Sequence, residues 1–257
     1  MQEPVENAQT APEEPFSKGW ISKRTVASLV VSALLTVAVI AATAVFGDEN
    51  YYLASLLIIV FTILPFFASF EGRRPQAREL VVLAVLIAIA VAARAAFFWL
   101  PAFKPMTAVV IVSGIALGAG AGFMCGSLAA FVSNFMFGQG PWTPWQMLAY
   151  GLAGLVAGLL AQKGIIPRHD LSNKAKLALC TGSAIFVLVV LGPVLDTCAV
   201  FTMPASEMAH YTAGAIYLSG LPVNAVHALA TFATLFVITN PMLDKLERIR
   251  VKYGMLS

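Results

Sequence analysis

Apolar stretches of about twenty residues alternate with short polar or glycine–proline turns along this chain, from Thr25 to Pro241. The first covers 25–46 and stops at the acidic turn Gly47-Asp48-Glu49-Asn50, and the second covers 51–70. Each is long enough to cross a hydrocarbon core of about 30 Å as a helix. A third, 80–99, sets Ala84, Ala88, Ala92 and Ala96 at four-residue spacing. That spacing lays a flat stripe of small side chains on one helical face, the kind that lets helices approach closely in lipid. Arg94 lies near the far end of this span, where it either snorkels to the interface or meets an acidic group or an anionic solute. Pro101 and Pro105 stiffen the loop that follows.

Residues 106–137 are 32 positions without a charge, about 48 Å as one helix at 1.5 Å per residue. The length exceeds one comfortable span, and the glycine-rich centre at 116–122 offers a break. Two short helices, 106–117 and 122–136, are therefore expected. Next come 145–161, with Gly151, Gly154 and Gly158 placed for packing, then 177–200 and 221–240. Gly192-Pro193 should kink the seventh span just before Asp196. Between the last two spans, 201–220 reads as an outer segment with Glu207 and His210, lying along the surface. The spans number eight.

Charge supports that count. Fourteen of the 16 Lys and Arg fall in the N-terminal tail, the 71–79 loop, the 162–176 loop and the C-terminal tail. With eight spans all four lie on one side, as the positive-inside rule requires, and both termini are cytoplasmic. Reading 106–137 as a single span would put the 162–176 loop outside. Composition agrees with a membrane protein. The chain is 59% hydrophobic and 11% charged, against about 25% charged in soluble domains, and its mean hydropathy is +0.83. Glycine-rich apolar runs without ten-residue alternation favour an all-α polytopic bundle over a barrel. Cys125, Cys180 and Cys198 sit in apolar runs without metal-ligand spacing and read as small buried hydrophobes. No cofactor, metal or nucleic-acid signature appears; the lipid bilayer is the partner that composition demands.

The stretch 130–147, AFVSNFMFGQGPWTPWQM, carries the most chemistry. It reads as the end of one helix, a turn and the start of the next. Trp142 and Trp145 suit the hydrocarbon–headgroup boundary, and Asn134, Gln139 and Gln146 offer neutral hydrogen bonds to a solute. Asp196 is either a ligand contact, an ion-pair partner for Arg94 or a wetted helix end. Asn224 and His227 lie three residues apart, on one face. On the eight-span layout these polar residues all fall in the outward half, the arrangement of an outward-opening solute pocket. The chain has no phosphate loop and no catalytic set at reacting distance, so it is not read as an enzyme.

Two segments carry a family likeness. They are Ala93–Phe98 with Pro101–Pro105 (ARAAFF followed by PAFKP), and Ser133–Met147 (SNFMFGQGPWTPWQM). In these the chain resembles the substrate-binding (S) component of energy-coupling factor (ECF) vitamin transporters. The resemblance implies a six-helix core over 79–240, preceded by a disordered tail (1–24) and an extra transmembrane hairpin with its basic loop (25–78), and followed by a basic tail (241–257). It implies a vitamin or related micronutrient bound in an outward pocket closed by the 100–105 loop, so Phe98 and Lys104 join the candidate contacts. It also implies a transmembrane coupling protein on the Ala84, Ala88, Ala92 and Ala96 stripe, two cytoplasmic ATPases that hydrolyse the ATP, and a plasma-membrane location. The matching branch is associated with cobalamin-like or precursor uptake; riboflavin, thiamine, folate and queuosine precursors stay open. An ion-driven secondary carrier and a non-transporting scaffold are the alternatives from other classes.

Overall fold

The computed structural model describes residues 77–140, 142–202 and 212–253, together with positions 57 and 60. The expected tail and hairpin, and Glu207 and His210, lie outside the described residues. What is described is helical apart from short turns, with no strand. Helix α1 spans Ala77–Ala96, α2 Met106–Leu117, α3 Ala119–Phe137 and α4 Trp142–Gln162. Then α5 (Asn173–Phe186), a π-helical turn (Val187–Leu191) and α6 (Gly192–Thr202) run on without a break, and α7 covers Ala213–Tyr253. With α5, the π turn and α6 as one rod, the described part is six rods. Five are long and apolar enough to cross a membrane, and α2 is a shorter apolar helix.

Helix α2 is the centre of the bundle. Every residue from Met106 to Ile115 is buried. The expected break in the glycine run is reduced to one residue, Gly118. Its φ of 94° is a backbone state that side chains disfavour, and its N–H still bonds to the Gly114 carbonyl at 2.9 Å. The chain reverses there, and α3 folds back along α2. A Cβ on Gly122 would lie 2.6 Å from Gly114 Cα. Helix α4 closes the third side. A Cβ on Gly154 would strike the Gly122 carbonyl, and one on Gly126 would strike the Tyr150 carbonyl. Because lipid supplies no hydrophobic drive between helices, such backbone-to-backbone approach is what holds three helices in register through dispersion.

Proline shapes the other two rods. Pro193 has no N–H and its ring crowds the carbonyl four residues back. The helix answers one turn earlier by widening, so that Gly192 N–H bonds to the Val187 carbonyl, five residues back. The expected kink is thus a π turn. Helix α7 passes straight through Pro222 and Pro241. It therefore exceeds the expected 221–240 span at both ends: residues 213–220 extend its outer end, and the basic stretch after Pro241 stays helical to Tyr253. Membrane helices tolerate proline because neighbours re-satisfy the freed carbonyls.

Helix α1 is the least enclosed rod. Leu83, Leu86 and Ala90 face inward, whereas Ala84, Ala88, Ala92 and Ala96 are all exposed. The first three of those alanines line, with Ile87, Val91, Ala95, Val132 and Met136, an apolar groove of about 580 Å³ between α1 and α3. The small-residue stripe is left over for something outside the described bundle.

The glycine contacts predict an asymmetry. Gly154→Ala should lower the midpoint of thermal unfolding in detergent, by an overpacking cost of about 1–3 kcal/mol. Gly182→Ala, where a Cβ meets nothing within 4 Å, should leave it unchanged or slightly higher. Equal midpoints for the two variants would contradict the packing.

Candidate ligand-binding site

Six rods joined in sequence bring the C-terminal ends of α1, α3 and α6 to the same end of the bundle as the N-terminal ends of α2, α4 and α7. The candidate residues gather there. Arg94, on α1, donates from Nη1 to Ser133 Oγ at 2.6 Å and to Asn134 Oδ1 at 2.9 Å, both on α3. Its guanidinium lies 4.8 Å from the Phe137 ring centroid. Asn134 is completely buried, and its amide donates to Thr143 Oγ1 at 2.9 Å and Gln146 Oε1 at 3.0 Å on α4. Thr143 donates in turn to Gln139 Oε1 at 2.9 Å, and Gln139 Nε2 donates to the Phe131 carbonyl at 3.1 Å. One amide thus ties α1, α3, α4 and the turn between α3 and α4 together.

The second group sits between α2, α4 and α7. His227 is buried and shares a 2.7 Å hydrogen bond with Thr107 Oγ1 through Nε2. Its ring centroid is 5.9 Å from that of Tyr150. Thr107 is the second residue of α2, directly after the proline-bearing loop that holds Lys104. Tyr150 stands one turn along α4 from Gln146, so the two groups share that helix.

The third group joins α6 to α7. Asn224 Nδ2 donates to Asp196 Oδ2 at 2.8 Å. Each side chain is seated on a glycine of the facing helix. A Cβ on Gly192 would lie 2.5 Å from the Asn224 amide carbon, and a Cβ on Gly220 would lie 2.6 Å from the Asp196 carboxylate. Glycine stands four residues before the polar residue on both helices, which makes the clasp reciprocal. Thr197 and Tyr217 add a 2.7 Å hydrogen bond beside it. An Arg94–Asp196 ion pair does not form among the described residues: Asn224 holds the carboxylate, and neutral oxygens hold the guanidinium.

The remaining candidates divide by exposure. Trp142 is 42% exposed and donates from Nε1 to the Gly138 carbonyl at 3.3 Å, as a boundary tryptophan would. Trp145 turns inward instead and stacks on Phe201 with centroids 5.9 Å apart. Phe98 is 72% exposed, beyond the end of α1. Sequence reading passed over Ser133, Thr143, Thr107, Tyr150 and Phe137. Thr143, Gln146 and Tyr150 recur at three- and four-residue spacing on α4, a polar stripe that helical periodicity could have revealed. Among the described residues no group of three His, Cys, Asp or Glu side chains could hold a metal ion.

Asn134→Leu keeps the volume of this hub and removes three hydrogen bonds. At about 0.6 kcal/mol for each interhelical bond in a membrane bundle, it should destabilise the protein by about 2 kcal/mol. Thermal unfolding in detergent measures this; an unchanged midpoint would mean that the hub does not join the helices.

Among known protein families, the model of the ECF-type riboflavin transporter S component matches residues 75–248, from just before α1 well into α7. Searches of curated proteins and of solved structures returned no match. The matched interval is well over half of the chain and contains all three polar groups. This chain therefore belongs to the family of ECF-type riboflavin transporter S components, multi-pass membrane subunits that bind a substrate for transport and are not enzymes.

Proposed function

We propose that the chain is the substrate-capturing subunit of an ATP-driven ECF importer in the plasma membrane, and that it takes up riboflavin or a close flavin relative. The observation that carries this reading is the Arg94 guanidinium, held at the α1–α3–α4 junction by a hydroxyl, an amide oxygen and an aromatic face. A guanidinium has five N–H donors, and two hydrogen bonds leave the others for carbonyl oxygens of a ligand. The isoalloxazine ring of a flavin is flat and bears carbonyls and ring nitrogens along one edge. Gln139 and Gln146 can pair with that edge, with Asn134 holding Arg94 and Gln146 in place, and Trp142 can cover a face. Asp196, Asn224 and His227 form the opposite wall, where hydroxyls of a sugar-alcohol chain find acceptors. Phe98 and Lys104, within the 97–105 turn, close the mouth. The family match favours this ligand over the cobalamin-like one associated with the sequence motifs.

A division of labour follows from membership in the family. A transmembrane coupling protein and two ATPases supply the energy, and the exposed alanines of α1 are the surface on which the coupling protein sits. The open groove beside them supports that role.

Riboflavin fluorescence provides the test. Titrating purified protein into riboflavin should quench the emission with single-site saturation, and Arg94→Gln should weaken binding at least tenfold. Absence of quenching, with a different small molecule found by mass spectrometry of the purified protein, would assign another substrate. Uptake into vesicles that lack any ATPase would instead favour an ion-driven carrier.

A further inference from the structure

Three buried side-chain polar atoms among the described residues have no hydrogen-bond partner: Trp145 Nε1, Tyr150 OH and Asn240 Oδ1. The Asn240 side chain is anchored through its amide, which donates to the Leu171 carbonyl at 3.0 Å at the opposite end of the bundle. The other two lie within six residues of each other on α4, the helix that also carries Gln146. Buried hydroxyls are nearly always paired. One left without a partner inside an apolar bundle costs stability that phenylalanine, of the same shape, would not.

Tyr150 is the sharper case. It is completely buried, about 12 Å along α4 from Trp142 at 1.5 Å per residue. Its backbone is pinned, since the missing Cβ of Gly126 leaves room for the Tyr150 carbonyl. The nearest acceptors on its neighbours already have partners. His227 Nε2 is taken by Thr107, and Gln146, one turn nearer the mouth on the same face, receives the Asn134 amide. This buried hydroxyl, one helical turn deeper than Gln146, has no partner among the described residues.

We infer that Tyr150 is a specificity-determining ligand contact, its hydroxyl donating to an acceptor atom on the leading edge of the bound heterocycle. This rests on the flavin-binding reading above and sets the ligand's direction. The dimethylbenzene edge of a flavin has no acceptor and cannot satisfy Tyr150. The pyrimidine-dione edge, with its carbonyls and adjoining ring nitrogens, enters first, and the dimethylbenzene edge stays toward the mouth.

Tyr150→Phe tests the assignment. Without ligand the variant should unfold at the same temperature as wild type or higher, whereas its dissociation constant for riboflavin should rise about tenfold. A flavin altered only on its dimethylbenzene edge should lose affinity by the same factor. In wild-type protein the infrared carbonyl bands of bound riboflavin should shift to lower frequency than in an apolar solvent, and the shift should shrink in the variant. Wild-type affinity in Tyr150→Phe would overturn the inference while leaving the flavin reading intact, and would make buried water the partner. Unshifted carbonyl bands in wild type would overturn it without any variant. No riboflavin binding by wild-type protein would overturn the flavin reading and this contact with it.

Discussion

Backbone touching backbone among α2, α3 and α4 is the contact on which the rest of the molecule depends. Gly114, Gly122, Gly126 and Gly154 bring three helices closer than any side chain would allow. Their close approach fixes where Asn134 on α3 stands relative to Thr143 and Gln146 on α4, and where Thr107 at the head of α2 meets His227. In water, burial of large apolar side chains would do this work. In lipid those side chains face outward as comfortably as inward, as the exposure of Val81, Val85, Phe135, Val189 and Val237 shows. Small residues and polar hydrogen bonds are left to specify the arrangement.

The polar groups follow the same logic. A cation within a membrane helix is costly unless partnered, and the sequence left Arg94 open to the interface, an acidic group or an anionic solute. The protein uses neutral oxygens and an aromatic face, which hold the guanidinium without neutralising it. Asp196 is handled alike, by an amide from Asn224. Two opposite charges are thus kept apart by two asparagines at one end of the bundle.

Much of this was legible in the chain. The break in 106–137 followed from length and glycine content, and the six-helix core from the family resemblance. The gathering of polar residues at one end followed from counting spans. What the sequence hid was pairing. Spacing along α6 and α7 could not say that Asp196 rests on Gly220 rather than near Arg94, because that depends on helix rotation. Hydroxyl residues were overlooked for a related reason: Ser133, Thr107 and Thr143 look like ordinary small residues of a membrane helix until their partners are known. The ends of α7 were misplaced because Pro222 and Pro241 end helices in water, where freed carbonyls gain little from neighbours, but are carried through in this bundle.

The central claim is that the ends of α1, α3, α4 and α7 form a ligand chamber open to the cell exterior. Gln139 is exposed at its rim, while the native Cys125, Cys180 and Cys198 are buried, so a single Gln139→Cys substitution reports on that rim. Labelling with a membrane-impermeant maleimide on intact cells should be rapid and should slow when riboflavin is added. Labelling that occurs only in inverted vesicles, at a rate indifferent to riboflavin, would contradict both the orientation and the chamber.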